Sequence, residues 1–223
     1  MKQIKNHRTG TVIFEGDFAS LRDCAERAAG DGVCLDFADL AHANLVNASL
    51  DETSLRCARL HGANLTGANL SEADLDGSDF TDAVLCNTCL CFSSLRHCRF
   101  DGALFGAADI TGSAVDRCVF STLSAFHLNF RGAGSMDGCI YVDPENIHCP
   151  FSRPPAVVAG LAWPVVVMDR HIKIGSRILT HGRFLSGAGT GEYALDAFIN
   201  QEKNWLIPLV EGFVDSVTAR LSA

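Results

Sequence analysis

The most regular feature of the chain is a large apolar residue at every fifth position from Leu35 to Phe130, with Ala125 as the one exception. Two residues before each of these positions, from Ala38 to Cys118, the residue is always Ala, Ser, Thr or Cys. A period of five fits neither the turn of an α-helix, about 3.6 residues, nor the alternation of a flat strand. The pattern therefore predicts a repeating structural unit of five residues.

A coil with short straight sides satisfies this period, because the large residue and the small residue two before it can then both point inward. Four such units would make one coil of twenty residues, and stacked coils would pair through backbone hydrogen bonds at a spacing of about 4.8 Å. The small inward residue leaves room for the large one in a narrow core. The sequence thus predicts an all-β segment in the form of a parallel β-helix.

Five units of this run share one further feature, an Asp or Asn between the small residue and a Leu. They are Ala38-Asp39-Leu40, Ala43-Asn44-Leu45, Ala63-Asn64-Leu65, Ala68-Asn69-Leu70 and Ala73-Asp74-Leu75. These units resemble the A-[DN]-L-x-x signature of the pentapeptide-repeat family, and the resemblance covers residues 33–140. The fold that it implies is a right-handed quadrilateral parallel β-helix, a solenoid built coil on coil.

Residues 1–32 precede the repeat and are predicted to form an N-terminal cap. The stretch Gln3–Phe14, with a Thr-Gly pair in its middle, is typical of a hairpin. Ser20 followed by Asp23 is typical of the start of a helix, and Gly30 is typical of its end. Such a cap would cover the open edge of the first coil, which would otherwise invite aggregation.

Residues 141–223 follow the repeat and are predicted to form a small α+β module. Three stretches are typical of short strands: Ala156–Val167, His171–Ile174 and Arg177–Leu179. Two others have helical character: Tyr193–Lys203 and the apolar positions from Leu206 to Leu221. The module could cap the last coil, join two copies of the chain as a homodimer, or do both. Both ends resemble those of bacterial and prophage pentapeptide-repeat proteins.

The net charge of −8 at pH 7 is concentrated in the repeat, because residues 33–140 hold 13 acids and 6 arginines. On one side of the predicted coil, acids and arginines alternate from coil to coil, as in Asp36, Arg56 and Asp76. This order favours ion pairs between neighbouring coils. Up to Phe120, the other three sides carry acids with no Lys or Arg: Asp51, Glu52, Glu72, Asp74, Asp82, Asp101 and Asp109.

We predict that these seven acids form a partner-binding surface. An acidic surface disfavours direct contact with nucleic acid and with anionic membranes, and it favours a protein partner with a basic surface. The chain has no stretch of about 20 apolar residues and no apolar leader behind its basic first residues, which favours a cytoplasmic location and reduced thiols.

Candidate chemistry in the sequence is sparse. One cluster of thiols lies in the repeat: Cys86, Cys89 and Cys91. These thiols would point outward around a turn, with no obvious fourth ligand of the kind that zinc requires. Another set of ligand-type residues lies in the predicted strand region: Asp169, His171 and His181. Satisfied surface groups are the commoner interpretation there, so we predict no catalytic, metal-binding or cofactor-binding residue and no enzyme.

The resemblance instead implies a binding function. Within the pentapeptide-repeat family, the quinolone-resistance group binds DNA gyrase by imitating DNA. An acidic rigid rod of this kind would occupy the DNA-binding groove of a DNA-processing enzyme, either gyrase or another topoisomerase or a defence nuclease. The alternative is a structural scaffold or adaptor, in which the repeat is a spacer and the C-terminal module binds the partner.

Overall fold

The N-terminal segment is a hairpin followed by a helix. The computed structural model of the chain describes residues 1–121, 123–158, 165–169, 171–174 and 177–180. Strand β1 (Lys2–Lys5) pairs in antiparallel fashion with β2 (Val12–Gly16). Helix α1 (Leu21–Gly30) begins with a capping box, in which the Ser20 side chain accepts from the Asp23 N–H and the Asp23 carboxylate accepts from the Ser20 N–H, both at 3.0 Å. The predicted hairpin and helix are both present.

This N-terminal segment covers the first edge of the repeat. The carbonyl of Lys5 accepts a hydrogen bond from the Asp39 N–H at 2.7 Å, and the His7 N–H donates to the carbonyl of Phe37 at 2.9 Å. On another side of the first coil, the Glu26 carboxylate of α1 accepts from the Ser49 N–H at 3.0 Å. Backbone groups that would be unpaired at an open edge therefore have partners in the cap.

The repeat consists of coils in which residues twenty apart pair in parallel. Single bridges join Asp39 to Arg59, Asn44 to Asn64, Ser49 to Asn69 and Ser54 to Asp74, and the same four columns continue through later coils. In the first column the Leu40 N–H donates to the carbonyl of Arg59, and the Arg59 N–H donates to that of Ala38, both at 2.9 Å. Two coils extend their pairing into strands β3 (Arg99–Phe100) and β4 (Val119–Phe120). Parallel pairing between residues twenty apart is the pairing that a parallel β-helix requires.

Each side of the coil is joined to the next by a β-turn of one type. The turn is closed by a hydrogen bond such as that from the Ala43 N–H to the carbonyl of Leu40, at 3.1 Å. Its third residue has a positive φ in all seventeen turns from Phe37 to Arg117, although only five of those residues are glycine. A type II turn requires this conformation at that position. The repeat therefore carries a left-handed backbone at every corner.

The interior follows the predicted two-residue rule. The large residue of each unit and the small residue two before it are buried throughout the coils. The rings of Phe80, Phe100 and Phe120 stack along one column, with centroids 5.1 and 5.2 Å apart. Where the small residue is polar, it donates to a backbone carbonyl: Ser78 reaches Leu55 of the preceding coil at 2.7 Å, and Ser93 reaches Leu90 of its own turn at 2.7 Å. These hydrogen bonds explain why hydroxyls and thiols are tolerated in a narrow apolar core.

The last coil departs from the regular repeat. Two 3₁₀ helices, Leu123–His127 and Phe130–Gly132, replace regular sides. The pairing then resumes with an offset of twenty-one residues, from Ala114 to Ser135 and from β4 to β5 (Cys139–Val142). Strand β6 (His148–Phe151) pairs with β5 in antiparallel fashion, so the column of the repeat continues past residue 140.

A second small sheet follows, with strands in the order β10-β9-β8-β7. Its strands are β7 (Ala156–Val158), β8 (Val165–Val167), β9 (His171–Ile174) and β10 (Arg177–Thr180). The prediction of one strand over Ala156–Val167 is wrong, because β7 and β8 are separate strands that pair with each other. The strands predicted at His171–Ile174 and Arg177–Leu179 are present, as β9 and β10.

The helices predicted at Tyr193–Lys203 and between Leu206 and Leu221 lie outside the described residues. Among the residues that the structure does describe, no helix has the length and apolar character needed to cross a membrane.

Candidate functional site

The outer surface of the coil has four turn columns, two of which bear most of the predicted site. We call residues 51–52, 71–72, 91–92 and 111–112 the Glu72 corner. We call residues 41–42, 61–62, 81–82 and 101–102 the His42 corner. The two corners are two turns apart in a four-turn coil, and so they lie on opposite sides of it.

Three of the predicted site residues stand together at the Glu72 corner. The Glu52 N–H donates to the carbonyl of Ser71, and the Glu72 N–H donates to that of Cys91, both at 2.9 Å, so residues 52, 72 and 92 form one column. The side chains of Asp51, Glu52 and Glu72 are exposed and have no ion-pair partner among the described residues. This corner is therefore an uncompensated acidic edge.

Asp74 lies beside the Glu72 corner but is not a free carboxylate. It is 3.7 Å from Nε of Arg56, which reaches over from the side where charges alternate. At the His42 corner, Asp101 is likewise 2.9 Å from the guanidinium of Arg99. The expectation that all seven acids lack a basic neighbour is therefore wrong for these two, because long arginine side chains reach around the turn into the next column.

The remaining two predicted acids, Asp82 and Asp109, have no ion-pair partner within the described residues. Asp82 is exposed at the His42 corner. Asp109 lies on the side that leads to the Glu72 corner, where it accepts from the hydroxyl and the N–H of Thr111 at 2.6 and 2.9 Å. These hydrogen bonds lower the pKa of Asp109, so it carries a full negative charge at neutral pH. The structure thus divides the acids between two corners instead of joining them in one patch.

The side with alternating charges keeps part of the predicted ion-pair ladder. Arg59 pairs with Asp39 one coil away at 3.6 Å, and Arg96 lies between Asp76 and Asp116 at 3.9 and 3.4 Å. Arg56 is hydrogen-bonded to Asp36 through its backbone N–H at 2.9 Å, while its guanidinium turns to Asp74. Exposed pairs of this kind contribute about 0–1 kcal/mol each, so their main effect is on coil register.

In the cysteine cluster, Cys91 lies at the Glu72 corner and Cys89 lies on the side that leads to it. Burial, followed by the neighbouring Cys89 and Asp109, raises the pKa of Cys91 to about 12, so its thiol is protonated at neutral pH. Throughout the described part of the chain, no three His, Cys, Asp or Glu side chains converge in a way that could hold a metal ion.

Two members of the other candidate set, Asp169 and His171, lie among the described residues. Asp169 accepts a hydrogen bond from the Ser152 N–H at 2.8 Å, and His171 is half-buried on β9. His181 lies outside the described residues. The contact of Asp169 with the Ser152 backbone has a structural role.

Comparison with known proteins identifies the repeat. Residues 34–71 and 63–100 match the family model of pentapeptide repeats, in eight copies. Residues 34–100 thus match pentapeptide repeats. This match and the observed pairing of residues twenty apart agree on a β-helix for the repeat.

Solved structures of pentapeptide-repeat proteins resemble parts of the chain. A protein from the thylakoid lumen of Arabidopsis thaliana is 28% identical over 40% of this chain and 70% of that one, with a TM-score of 0.20. HetL, a protein of heterocyst differentiation regulation from Nostoc sp. strain PCC 7120, is 21% identical over 53% of this chain and 62% of its own, with a TM-score of 0.27. The plasmid-mediated fluoroquinolone resistance protein QnrB1 is 17% identical over 49% of this chain and 65% of its own, with a TM-score of 0.20. The matches thus span less than two thirds of HetL and of QnrB1. No curated protein matches the chain.

Sequence reasoning missed one exposed side chain at the Glu72 corner. Phe92 occupies the third position of a turn with φ of 57° and is 66% exposed. A signal was present in the sequence, because the repeat places this residue at an outward turn position where most coils have a polar residue or glycine. The acids at this corner therefore have an aromatic neighbour.

Proposed function

We propose that the protein is a non-enzymatic binding protein that occupies the DNA-binding groove of a DNA-processing enzyme as an acidic mimic of DNA. The target would be gyrase or another topoisomerase, or a defence nuclease. The partner-binding residues would be the seven acids of the coil, of which Asp51, Glu52 and Glu72 form the principal edge. The observation that carries this proposal is the set of unpaired carboxylates held on a hydrogen-bonded rod.

The charge density of this rod is comparable with that of a duplex. Asp51 and Asp109 are about three coils apart, which is about 14 Å along the stack. Duplex DNA of that length carries about eight phosphates, and this segment carries five unpaired acids of the predicted set. A groove that contacts both sides of a duplex would meet the Glu72 corner with one wall and Asp82 with the other.

A competition assay tests the proposal. Labelled duplex DNA bound to gyrase, and in parallel to a restriction nuclease, is titrated with the full chain, and the anisotropy of the DNA reports its release. We expect the wild-type protein to release DNA from at least one of them. The triple variant Asp51→Asn, Glu52→Gln, Glu72→Gln should need about tenfold more protein, because each lost exposed charge pair is worth about 0.2–1 kcal/mol.

A matched control has the same change in net charge away from the coil. Glu15→Gln, Asp17→Asn and Glu145→Gln remove three exposed carboxylates from the cap and from the turn after β5. This triple variant should compete like the wild type. Release of DNA from neither enzyme would refute mimicry, and equal weakening by the two triple variants would refute the assignment to the Glu72 corner.

The proposal includes the architecture that the family resemblance implies. We propose a right-handed quadrilateral coil over residues 33–140 between an N-terminal cap, residues 1–32, and a C-terminal module, residues 141–223. The module would close the last coil and could also join two chains as a homodimer in the cytoplasm. Light scattering on the full chain would give the number of copies, and a monomer at all concentrations would contradict the dimer.

A further inference from the structure

Two phenylalanines occupy the same position of the turn in different columns of the repeat. Phe37 and Phe92 are both third residues of a turn, with φ of 61° and 57°. The ring of Phe37 is covered by the cap, because the guanidinium of Arg8 lies 4.4 Å above its centroid and His7 lies beside it. Phe92 is 66% exposed and has no ring or cation contact within the described residues.

An exposed aromatic ring at this position has no structural advantage for the coil. The left-handed conformation is unfavourable for a residue with a Cβ, and it is best suited to Gly or Asn, which occupy equivalent turn positions at Gly67, Asn47 and Asn87. The ring of Phe92 adds little to the core, because most of it faces solvent. Large exposed apolar side chains that the fold does not need are typical of contact sites.

The next coil provides a shelf for the ring. A Cβ built on Gly112 would lie only 3.3 Å from Cγ of Phe92 and closer still to the ring edge, so the ring lies against the backbone of that coil. Glycine at this position therefore leaves space that a side chain would fill. The outer face of the ring remains open to a partner.

Carboxylates precede the ring in the same column. Glu72 is one coil away and Glu52 is two coils away, at about 4.8 Å per coil. Both are exposed and unpaired among the described residues. A guanidinium group is the one protein cation that both stacks on an aromatic face and pairs with a carboxylate in a fixed planar geometry. The contact between Arg8 and Phe37 shows that this fold already places a guanidinium on a phenylalanine of this turn position.

We propose that Phe92, with Glu72 and Glu52, is a recognition site for an arginine side chain exposed on the basic surface of a protein partner. The site rests on the proposed function in that its partner is basic, and it adds a preference for arginine over lysine that charge alone does not give. Lysine would pair with the carboxylates but would lose the planar stacking on the ring.

The test uses the full chain and two labelled peptides of equal charge, nona-arginine and nona-lysine. Fluorescence anisotropy at physiological ionic strength should show that the wild type binds nona-arginine about three- to fivefold more tightly than nona-lysine. Phe92→Ala should remove this preference and leave nona-lysine binding unchanged. Glu72→Gln should weaken binding of both peptides.

Leu104→Ala is the matched control, because Leu104 is also an exposed apolar residue of the coil, 48% exposed, in a different column. It should leave both affinities unchanged. Equal binding of the two peptides by the wild type would overturn the site, as would equal losses for both peptides in Phe92→Ala. A dimer in sedimentation that Phe92→Ala dissociates would also overturn it, because the ring would then be covered by a second copy.

The two proposals fail separately. A wild-type protein that prefers nona-arginine but releases no DNA from gyrase or the nuclease refutes mimicry and leaves the arginine site standing. A wild-type protein that releases DNA without any preference between the peptides refutes only the arginine site.

Discussion

Replacing a turn glycine of the coil should lower the free energy of unfolding most where a side chain of the preceding coil lies against that glycine. Gly62 has φ of 64°, and a Cβ added there would meet the ring of His42, with Cε1 at 2.8 Å. Gly10 has φ of 73° and would meet nothing within 4 Å. Both Gly62→Ala and Gly10→Ala place a Cβ on a left-handed residue, which destabilises the folded state by about 1–2 kcal/mol. Both also reduce the conformational entropy of the unfolded chain, which favours folding to a similar extent in the two variants. Only Gly62→Ala must also displace the His42 ring.

The extra loss at Gly62 follows from what the His42 ring contacts. Its centroid lies 4.6 Å from that of His61, edge to face at 84°. Such an aromatic contact is worth about 0.5–1.5 kcal/mol, and an off-rotamer side chain costs about 0.5–1.5 kcal/mol. We therefore expect Gly62→Ala to lower the free energy of unfolding by about 1–3 kcal/mol more than Gly10→Ala does.

Urea denaturation followed by circular dichroism measures this difference in four variants: Gly10→Ala, Gly62→Ala, His42→Ala and the double variant His42→Ala/Gly62→Ala. With His42 truncated, the new Cβ at residue 62 has space, so the double variant should be more stable than the sum of the single losses predicts. Equal losses for the two glycine variants, or additive losses in the cycle, would refute this account of the turns.

Two further predictions concern the interior. Phe100→Ala should lower the free energy of unfolding by about 3–5 kcal/mol, because the ring is 1% exposed and stacks between Phe80 and Phe120; Phe100→Leu should lose less than about 1.5 kcal/mol in urea denaturation, and equal losses would contradict the stacked core. Burial raises the pKa of Cys139 to about 12, above the unfolded value of about 8.5. As pH rises, the thiol of Cys139 ionises in the unfolded chain before it ionises in the folded protein, and this ionisation favours unfolding. The stability of the folded state is therefore unaffected below about pH 8.5 and decreases between about pH 8.5 and pH 12. Cys139→Ala should therefore lose less stability between pH 8 and pH 10 than the wild type, and parallel losses would contradict the shift.

The sequence predicts the repeat well because its periodic signal is local and strong. Each Leu or Phe at the fifth position is fixed by the core, and each small residue two before it is fixed by the lack of space, so the burial of Leu40 or Ala63 follows from the pattern alone. The capping box of α1 is equally local, since Ser20 and Asp23 bond within one turn. Local rules of this kind can be seen in a single sequence.

The outer surface is harder to predict, because it depends on side-chain direction. Asp74 and Asp101 are assigned to columns without a basic residue, yet Arg56 and Arg99 reach them around the turn. The same limit applies to Phe92, whose exposure depends on the glycine of the following coil and on the absence of a covering Arg8. Gly160 and Pro164 lie between β7 and β8, and these breaking residues are the signal that the long apolar stretch holds two strands.

The twenty-residue coil also restricts how the length of this protein can change. Among regular units, a five-residue change would move every later side chain to the next side, so only whole coils can be added or removed with the later columns in phase. A five-residue change between Glu72 and Phe92 would move Phe92 out of the column of Glu72. The one extra residue of the last coil is accommodated where 3₁₀ helices replace the regular sides. Whole-coil changes alter the rod by about 4.8 Å and preserve every column. The length of the repeat can therefore change by regular units only in steps of one coil.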